Sequence, residues 1–179
     1  QKVNIINSSF TDQRHSISIG GLGGISRCIK ITNNSINKSR DAGIDSHSAG
    51  QFLIIENNHI VCEGSDGEHD GIIIEGLDSI ITNNIIEGII RHGIYIQPNF
   101  NYFKQPSYKI DNNIINAKPD YTYSSGINFS SVDSQINNLS ISNNTINNEL
   151  QYGIHIKDDY KITSSKISNN DINLCDKGI

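Results

Sequence analysis

Methionine and tryptophan are absent from this chain, and only three prolines and three cysteines interrupt it. Cys28, Cys62 and Cys175 have no motif spacing, so they read as small apolar side chains and not as a disulfide frame or metal site. No apolar run has the length of a membrane span, and no signal-peptide pattern opens the chain. A basic surplus is missing as well. With a formal charge of −5, the chain lacks the positive face that a nucleic-acid partner demands. No stretch shows helical periodicity bounded by caps. What remains is isoleucine, asparagine, serine and glycine in a recurring order. Disorder is excluded by that recurrence, because disordered chains lack regularly spaced β-branched residues.

Two landmarks repeat along the whole length. Asn-Asn pairs stand at 33–34, 57–58, 83–84, 112–113, 143–144 and 169–170, each after a short β-prone run such as Cys28-Ile-Lys-Ile-Thr. Two residues past each pair comes an isoleucine: Ile36, Ile60, Ile86, Ile115, Ile146 and Ile172. Asn7-Ser8, followed by Phe10, reads as an earlier copy. Between pairs lie Gly-Ile dipeptides at 43–44, 71–72, 93–94, 126–127, 153–154 and 178–179, with Ser16-Ile17 as the first. After each of these the residues alternate apolar and polar, the period of a half-buried strand.

Hairpins would explain short strands, but not two landmarks in fixed order every 24 to 31 residues. A solenoid explains both, with each period one turn and equivalent strands stacked in parallel about 4.8 Å apart. The expectation is an all-β, single-stranded parallel β-helix of about seven coils, each of 22–33 residues, filling 1–179 as one domain. In it, isoleucines stack inward. The asparagines tolerate the left-handed backbone of the corners and bond to their copies in the next coil. Neither end reads as a cap, so the chain is expected to be the repeat region of a larger protein. Leucine-rich repeats share the period but need regular leucines, which are few here.

Aligning the Gly-Ile landmark coil by coil gives columns. Two positions before it stand Arg14, Asp41, His69, Arg91, Ser124, Gln151 and Asp176, and one before stand His15, Ala42, Asp70, His92, Ser125, Tyr152 and Lys177. Two after the glycine, facing outward, are Ser18, Asp45, Ile73, Tyr95, Asn128 and His155; four after are Gly20, His47, Glu75, Gln97, Ser130 and Lys157. Five of the six histidines fall in these columns, which concentrates titratable groups on one face. Asp45, His47, Asp70, Glu75, Arg91, His92 and Tyr95 are the candidate catalytic residues, sharing a patch of roughly 10–15 Å by strand spacing. Asp41 and His69 border it. Glycoside hydrolysis needs two carboxyls about 6.5–9.5 Å apart for inversion, which Asp45 and Glu75 could supply. Elimination or epimerisation beside a uronate needs instead a cation such as Arg91, a base such as His47 or His92, and an acid such as Tyr95. The bland alternatives are a charge ladder through Arg14, Asp41, His69 and Arg91, and a simple corner at Asp70-Gly71.

The Asn-Asn-x-Ile and Gly-Ile-x-Ile pattern resembles the right-handed β-helix superfamily of pectate lyases, alginate epimerases and bacteriophage tailspikes. Gly43-Ile44-Asp45-Ser46-His47 also resembles the Tyr-Gly-Phe/Val-Asp-Pro-His motif of alginate C5-epimerases, which implies a site at Asp45 and His47. Ala42 stands where that family has its catalytic tyrosine, and Ser46 where it has proline. Similar Gly-Ile-Asp-x-His strands are found in tail-associated β-helices of phages. The resemblance implies a carbohydrate-active protein on a virion surface or outside the cell, with a bacterial or extracellular polysaccharide as substrate. The alternatives are a secreted polyuronate lyase or epimerase and a non-catalytic adhesin or shaft. Two insertions, 97–108 and 117–123, carry Phe100, Tyr102, Tyr121 and Tyr123, which would stack on sugar rings or pack in a homotrimer. No cofactor is required. The acidic bulge Glu63-Gly64-Ser65-Asp66-Gly67-Glu68 offers oxygen ligands of the kind Ca²⁺ takes, but a solvated turn accounts for it more simply.

Overall fold

The computed structural model describes residues 2–20, 28–46, 52–63, 69–75, 78–98, 106–118, 124–130, 135–148, 150–157 and 161–179. Every described element is a strand or turn, and no helix long and apolar enough to cross a membrane occurs among them. Twenty-one short strands form three parallel sheets of seven strands each. The chain visits the sheets in rotation: Lys2–Ile6 belongs to the first, Ser9–Thr11 to the second and His15–Ile19 to the third. Cys28–Thr32 then returns to pair with Lys2–Ile6. This is the parallel β-helix that the two landmarks anticipate, with seven windings.

Register carries the landmarks into columns. Ile31 stacks on Ile55, then Ile81, Ile110 and Ile141 in the first sheet. Ile36, Ile60, Ile86, Ile115 and Ile146 stack in the second. Ile44, Ile72, Ile94, Ile127 and Ile154 stack in the third. All these side chains are buried. A β-branched residue suits such a column, because its restricted χ1 fits the pleat and its methyls meet the same methyls above and below. Burial of each isoleucine contributes about 2–3 kcal/mol relative to exposure.

The corner between the first and second sheets is built from the asparagine pairs. The first member of each pair, including Asn33, Asn57, Asn83, Asn112 and Asn143, has φ between 56° and 58°. Asparagine accepts that left-handed geometry better than other non-glycine residues. The second member turns its amide inward along the axis. Asn58 Nδ2 donates to Asn84 Oδ1 at 3.0 Å, Asn84 to Asn113 at 3.0 Å, and Asn113 to Asn144 at 3.0 Å. Each carboxamide oxygen also accepts the backbone N–H of the preceding asparagine in the ladder, as Asn113 Oδ1 does from Asn84 N at 3.0 Å. Both properties assigned to asparagine from the sequence are therefore present, split between the two members of the pair.

The Gly-Ile landmark has a steric cause. A Cβ on Gly93 would lie 2.4 Å from Ile115 Cγ2 and 2.6 Å from Gly126 O. Gly43, Gly71, Gly126 and Gly153 repeat the arrangement against Ile60, Ile86, Ile146 and Ile172. The second-sheet isoleucine of the next coil thus occupies the volume that a side chain would need. The two landmarks are one packing unit seen twice. The three cysteines are free thiols, and burial followed by the nearby Asp70 charge pushes the Cys62 thiol up to about 12.

Candidate functional site

The third sheet places the aligned columns as register. Ser18 pairs with Asp45, Asp45 with Ile73, Ile73 with Tyr95, Tyr95 with Asn128, and Asn128 with His155. His15 pairs with Ala42 and Ala42 with Asp70, while His92 pairs with Ser125 and Ser125 with Tyr152. Register thus places Asp45, Asp70, His92 and Tyr95 on the third sheet, where the described candidates sort into two groups.

The first group joins the first two coils. Arg14 Nε donates to Asp41 Oδ2 at 3.0 Å. The ring of His15 lies between two carboxylates, with Nε2 3.3 Å from Asp41 Oδ2 and Nδ1 3.2 Å from Asp45 Oδ2. The second of these is an electrostatic contact without hydrogen-bond alignment. Asp45 is only 1% exposed although its column faces outward. The outer face is covered at this point. His15, which the column alignment contains but the candidate set omits, is the residue that ties Asp41 to Asp45.

The second group spans the later coils. Asp70 is fully buried and is held by Arg91, whose Nε lies 3.1 Å from each carboxylate oxygen while Nη2 also reaches Oδ2. The backbone N–H of His92 adds a bond to Asp70 Oδ1 at 3.0 Å. Arg91 thus pairs with Asp70 in the neighbouring column, and the charge ladder includes the Arg14–Asp41 ion pair. The Arg91 guanidinium carbon stands 5.6 Å from the centre of the Tyr95 ring, and the His92 ring centre lies 4.9 Å from it. His69 is fully buried, and its carbonyl accepts the N–H groups of Ile90 and Arg91 at 3.2 Å each. Glu75 is half-buried at the strand end, with its N–H on Ser46 O at 2.9 Å.

From His92 a polar chain runs down the sheet. The Asn128 amide lies 3.0 Å from His92 Nε2, and its oxygen lies 3.1 Å from His155 Nδ1. Satisfying both contacts assigns the tautomer: Asn128 Nδ2–H donates to an unprotonated His92 Nε2, and His155 Nδ1–H donates to Asn128 Oδ1. His155 stacks on Tyr152 with ring centres 4.3 Å apart, and Lys177 Nζ donates to the Tyr152 hydroxyl at 3.3 Å. Asn128, Tyr152 and His155 were visible in the columns. Nothing in the sequence marks them apart from their columns, because an uncharged amide and a ring between coils carry no motif of their own.

Burial, then the charges of Arg91 and His155, push the His92 imidazole down to about 3 from its ordinary value of 6.5. At neutral pH it is uncharged, and its free lone pair is occupied by Asn128. Both features suit an orienting acceptor better than a general base, whose pKa should lie near the working pH. The shift also predicts a stability profile. Between pH 6.5 and 3 the unfolded chain binds more protons at this site, so stability falls as the solution is acidified. A loss of about 3 kcal/mol by pH 4 is expected at about 1.4 kcal/mol per unit. Urea unfolding of His92→Gln beside the parent chain checks this, since the variant should lose less stability over that window.

His47, Phe100, Tyr102, Tyr121 and Tyr123 lie outside the described residues, as do Gly64 to Glu68 of the acidic bulge. Among the described residues, no three His, Cys, Asp or Glu side chains gather as a metal site.

Comparison with known families matches the model described as the right-handed β-helix region to residues 1–179, the entire chain. No curated protein and no solved structure matches it. With three parallel sheets wound in rotation and a family match from end to end, this chain belongs to the right-handed β-helix family.

Proposed function

We propose that this β-helix is carbohydrate-active and that it holds a bacterial surface or extracellular polysaccharide along the outer face of its third sheet. The observation that carries the reading is the run of rings and planar polar groups formed by Arg91, Tyr95, His92, His155 and Tyr152, with the buried Asn128 amide fixing the two imidazoles. Sugars are recognised by this combination: ring faces cover the C–H surface of a pyranose, while amide and imidazole groups meet its hydroxyls. Two coils separated by one make that offer, about 10 Å apart, which suits a polymer better than a single sugar. A virion tail appendage or another extracellular setting fits such a partner, and the two aromatic insertions would line the groove or join subunits of a trimer.

Two chemistries remain attached to this reading. Elimination would use Arg91 to neutralise a uronate carboxylate and Tyr95 to deliver a proton, with His47 as base. Hydrolysis would use the carboxyls of Asp45 and Glu75. A second reading, a non-catalytic adhesin or shaft, is favoured by the covered state of Asp45 and Asp70 and their contacts to His15 and Arg91. Retention of the chain on a panel of immobilised polysaccharides tests the common core. Tyr95→Ala should weaken retention about tenfold, the loss of one stacked ring. Unsaturated uronate products would mark elimination, and new reducing ends without them would mark hydrolysis. Retention with neither product, and with no exchange of solvent deuterium into C5 of the uronates, selects the adhesin over an enzyme, epimerase included. A parent chain that binds no polysaccharide, or a Tyr95→Ala chain that binds as well as its parent, sinks the reading.

A further inference from the structure

The first sheet has an outer face of its own, and it carries a shallow groove of about 590 Å³. Register sets what lines it. Phe52 stacks over Asp78, and Ile80 stacks over Lys109, then Ser140, then Lys166. Composition therefore changes along the axis. One end has a half-buried aromatic ring and a half-buried isoleucine at outward positions, and the other has two exposed lysines separated by a serine.

Two lysines, Lys109 and Lys166, and one acid, Asp78, line the groove. Asp78, the acid among its lining residues, turns Oδ1 to the backbone N–H of Ser107 at 2.8 Å. Lys109 has a loose contact with Asp111 at 3.6 Å. Lys166 has no ion-pair partner among the described residues. An apolar floor next to the exposed ammonium of Lys166 and the loosely paired one of Lys109 suits a ligand that is flat and apolar on one face and anionic at its edge. The spacing adds a further condition. Lys109 and Lys166 are two coils apart, roughly 10 Å, with the uncharged Ser140 at the coil between them. One coil advances about as far as one sugar in an extended glycan, so the lysines meet every second sugar.

We infer that this groove is a second glycan subsite, separate from the third-sheet face, and that it takes a polysaccharide carrying a carboxylate on alternate sugars. A pyranose face rests on Phe52 and Ile80, and successive carboxylates meet Lys109 and Lys166, with the glycan parallel to the solenoid axis. The inference rests on the carbohydrate reading above but uses none of its residues. Its strength should fall with added salt, since both lysines are exposed.

Titration calorimetry of the whole chain with hyaluronan oligosaccharides, and with the same oligosaccharides after carboxyl reduction, tests the inference. The expected result is binding of the acidic probe that falls at least tenfold in Lys109→Gln/Lys166→Gln. Lys38→Gln, which changes an exposed lysine of the second sheet outside the groove, should leave that binding within twofold of the parent. The carboxyl-reduced probe should bind weakly and equally to the parent and the lysine variant. Both lysines are exposed, so an unchanged thermal midpoint is expected and verifies the fold of the variant. Acidic-probe binding that survives the lysine changes but is lost in Tyr95→Ala overturns the groove and leaves the third-sheet reading standing. A parent chain that ignores hyaluronan yet is retained on another polysaccharide does the same. A chain that binds no glycan overturns both. A Phe52→Lys change that dissociates an oligomer without altering glycan binding would assign the groove to a second copy of the chain and overturn the inference.

Discussion

Replacing Asn84 by alanine should destabilise the chain by about 4 kcal/mol, more than twice the loss expected for the same change at Asn170. Asn84 is fully buried in the middle of the ladder. Its oxygen accepts from Asn58 N and Asn58 Nδ2, both at 3.0 Å. Its amide donates to Ile55 O and to Asn113 Oδ1, also at 3.0 Å. Alanine leaves the Asn58 backbone N–H and the Ile55 carbonyl buried without those partners, and each orphaned group costs about 1–3 kcal/mol. Asn170, the last ladder asparagine among the described residues, is only half-buried and donates to Ile141 O with no further ladder partner among them. Water can replace more of what it loses. Asn84→Asp separates the two halves of the argument, since a carboxylate keeps the acceptor but opposes the Ile55 and Asn113 oxygens. It should be as harmful as alanine at pH 7. Urea unfolding of the three variants checks the order. Equal losses at Asn84 and Asn170 would mean that the ladder contributes by filling space and not by hydrogen bonding.

A solenoid adds a qualitative expectation to that number. Each coil touches only its neighbours, so stability is close to a sum of coil and interface terms. A defect at Asn84 falls in the fourth winding, with three coils on either side. The two halves should then unfold less cooperatively, and the transition should broaden as well as shift. An end-of-ladder defect at Asn170 should leave the breadth unchanged.

The ladder also shows why the fold was readable from the sequence. A parallel β-helix imposes the same local requirement at the same corner of every coil, so Asn33-Asn34 and its copies recur in phase with Ile36 and its copies. Repetition turns weak local preferences into a strong pattern. The columns that place Asp45 beside Ile73 and Tyr95 follow from that phase alone, and the strand register reproduces them. Side-chain pairing was less legible. Nothing in the columns says that Arg91 turns toward Asp70 and away from its own column, or that His15 bridges Asp41 and Asp45. Those choices depend on which neighbour lies within reach across coils of unequal length. Burial was harder still. Asp45 sits at an outward position and is nevertheless only 1% exposed, which strand alternation alone does not anticipate. The polar chain from His92 through Asn128 to His155 was the least legible, because it links three coils through side-chain rotamers that no column predicts.

The second large effect is expected where no side chain exists. Gly93→Ala adds one methyl, and the nearest atoms it would meet are Ile115 Cγ2 at 2.4 Å and the Gly126 carbonyl oxygen at 2.6 Å. The first can yield, since an isoleucine methyl moves with its rotamer. The second is backbone of the next coil and is fixed by the sheet. Overpacking of a well-filled interior costs about 1–3 kcal/mol, and displacing a hydrogen-bonded strand adds to that, so a loss of about 4 kcal/mol is expected. Gly178→Ala is the matched control, because a Cβ there meets nothing within 4 Å. It should be neutral within about 0.5 kcal/mol, the usual range for an unobstructed surface change. The double variant Gly93→Ala/Ile115→Leu apportions the clash. Leucine moves the branch from Cβ to Cγ and removes the methyl nearest the new Cβ, but it leaves the Gly126 oxygen in place. Recovery of less than half the lost stability is therefore expected by thermal and urea unfolding. Full recovery would show that the glycine column is required only by the isoleucine facing it, and that the coils can separate enough to admit a side chain. In that case the Gly-Ile landmark would record side-chain packing between sheets, and the close approach of backbone to backbone would not be what fixes the pitch of the solenoid.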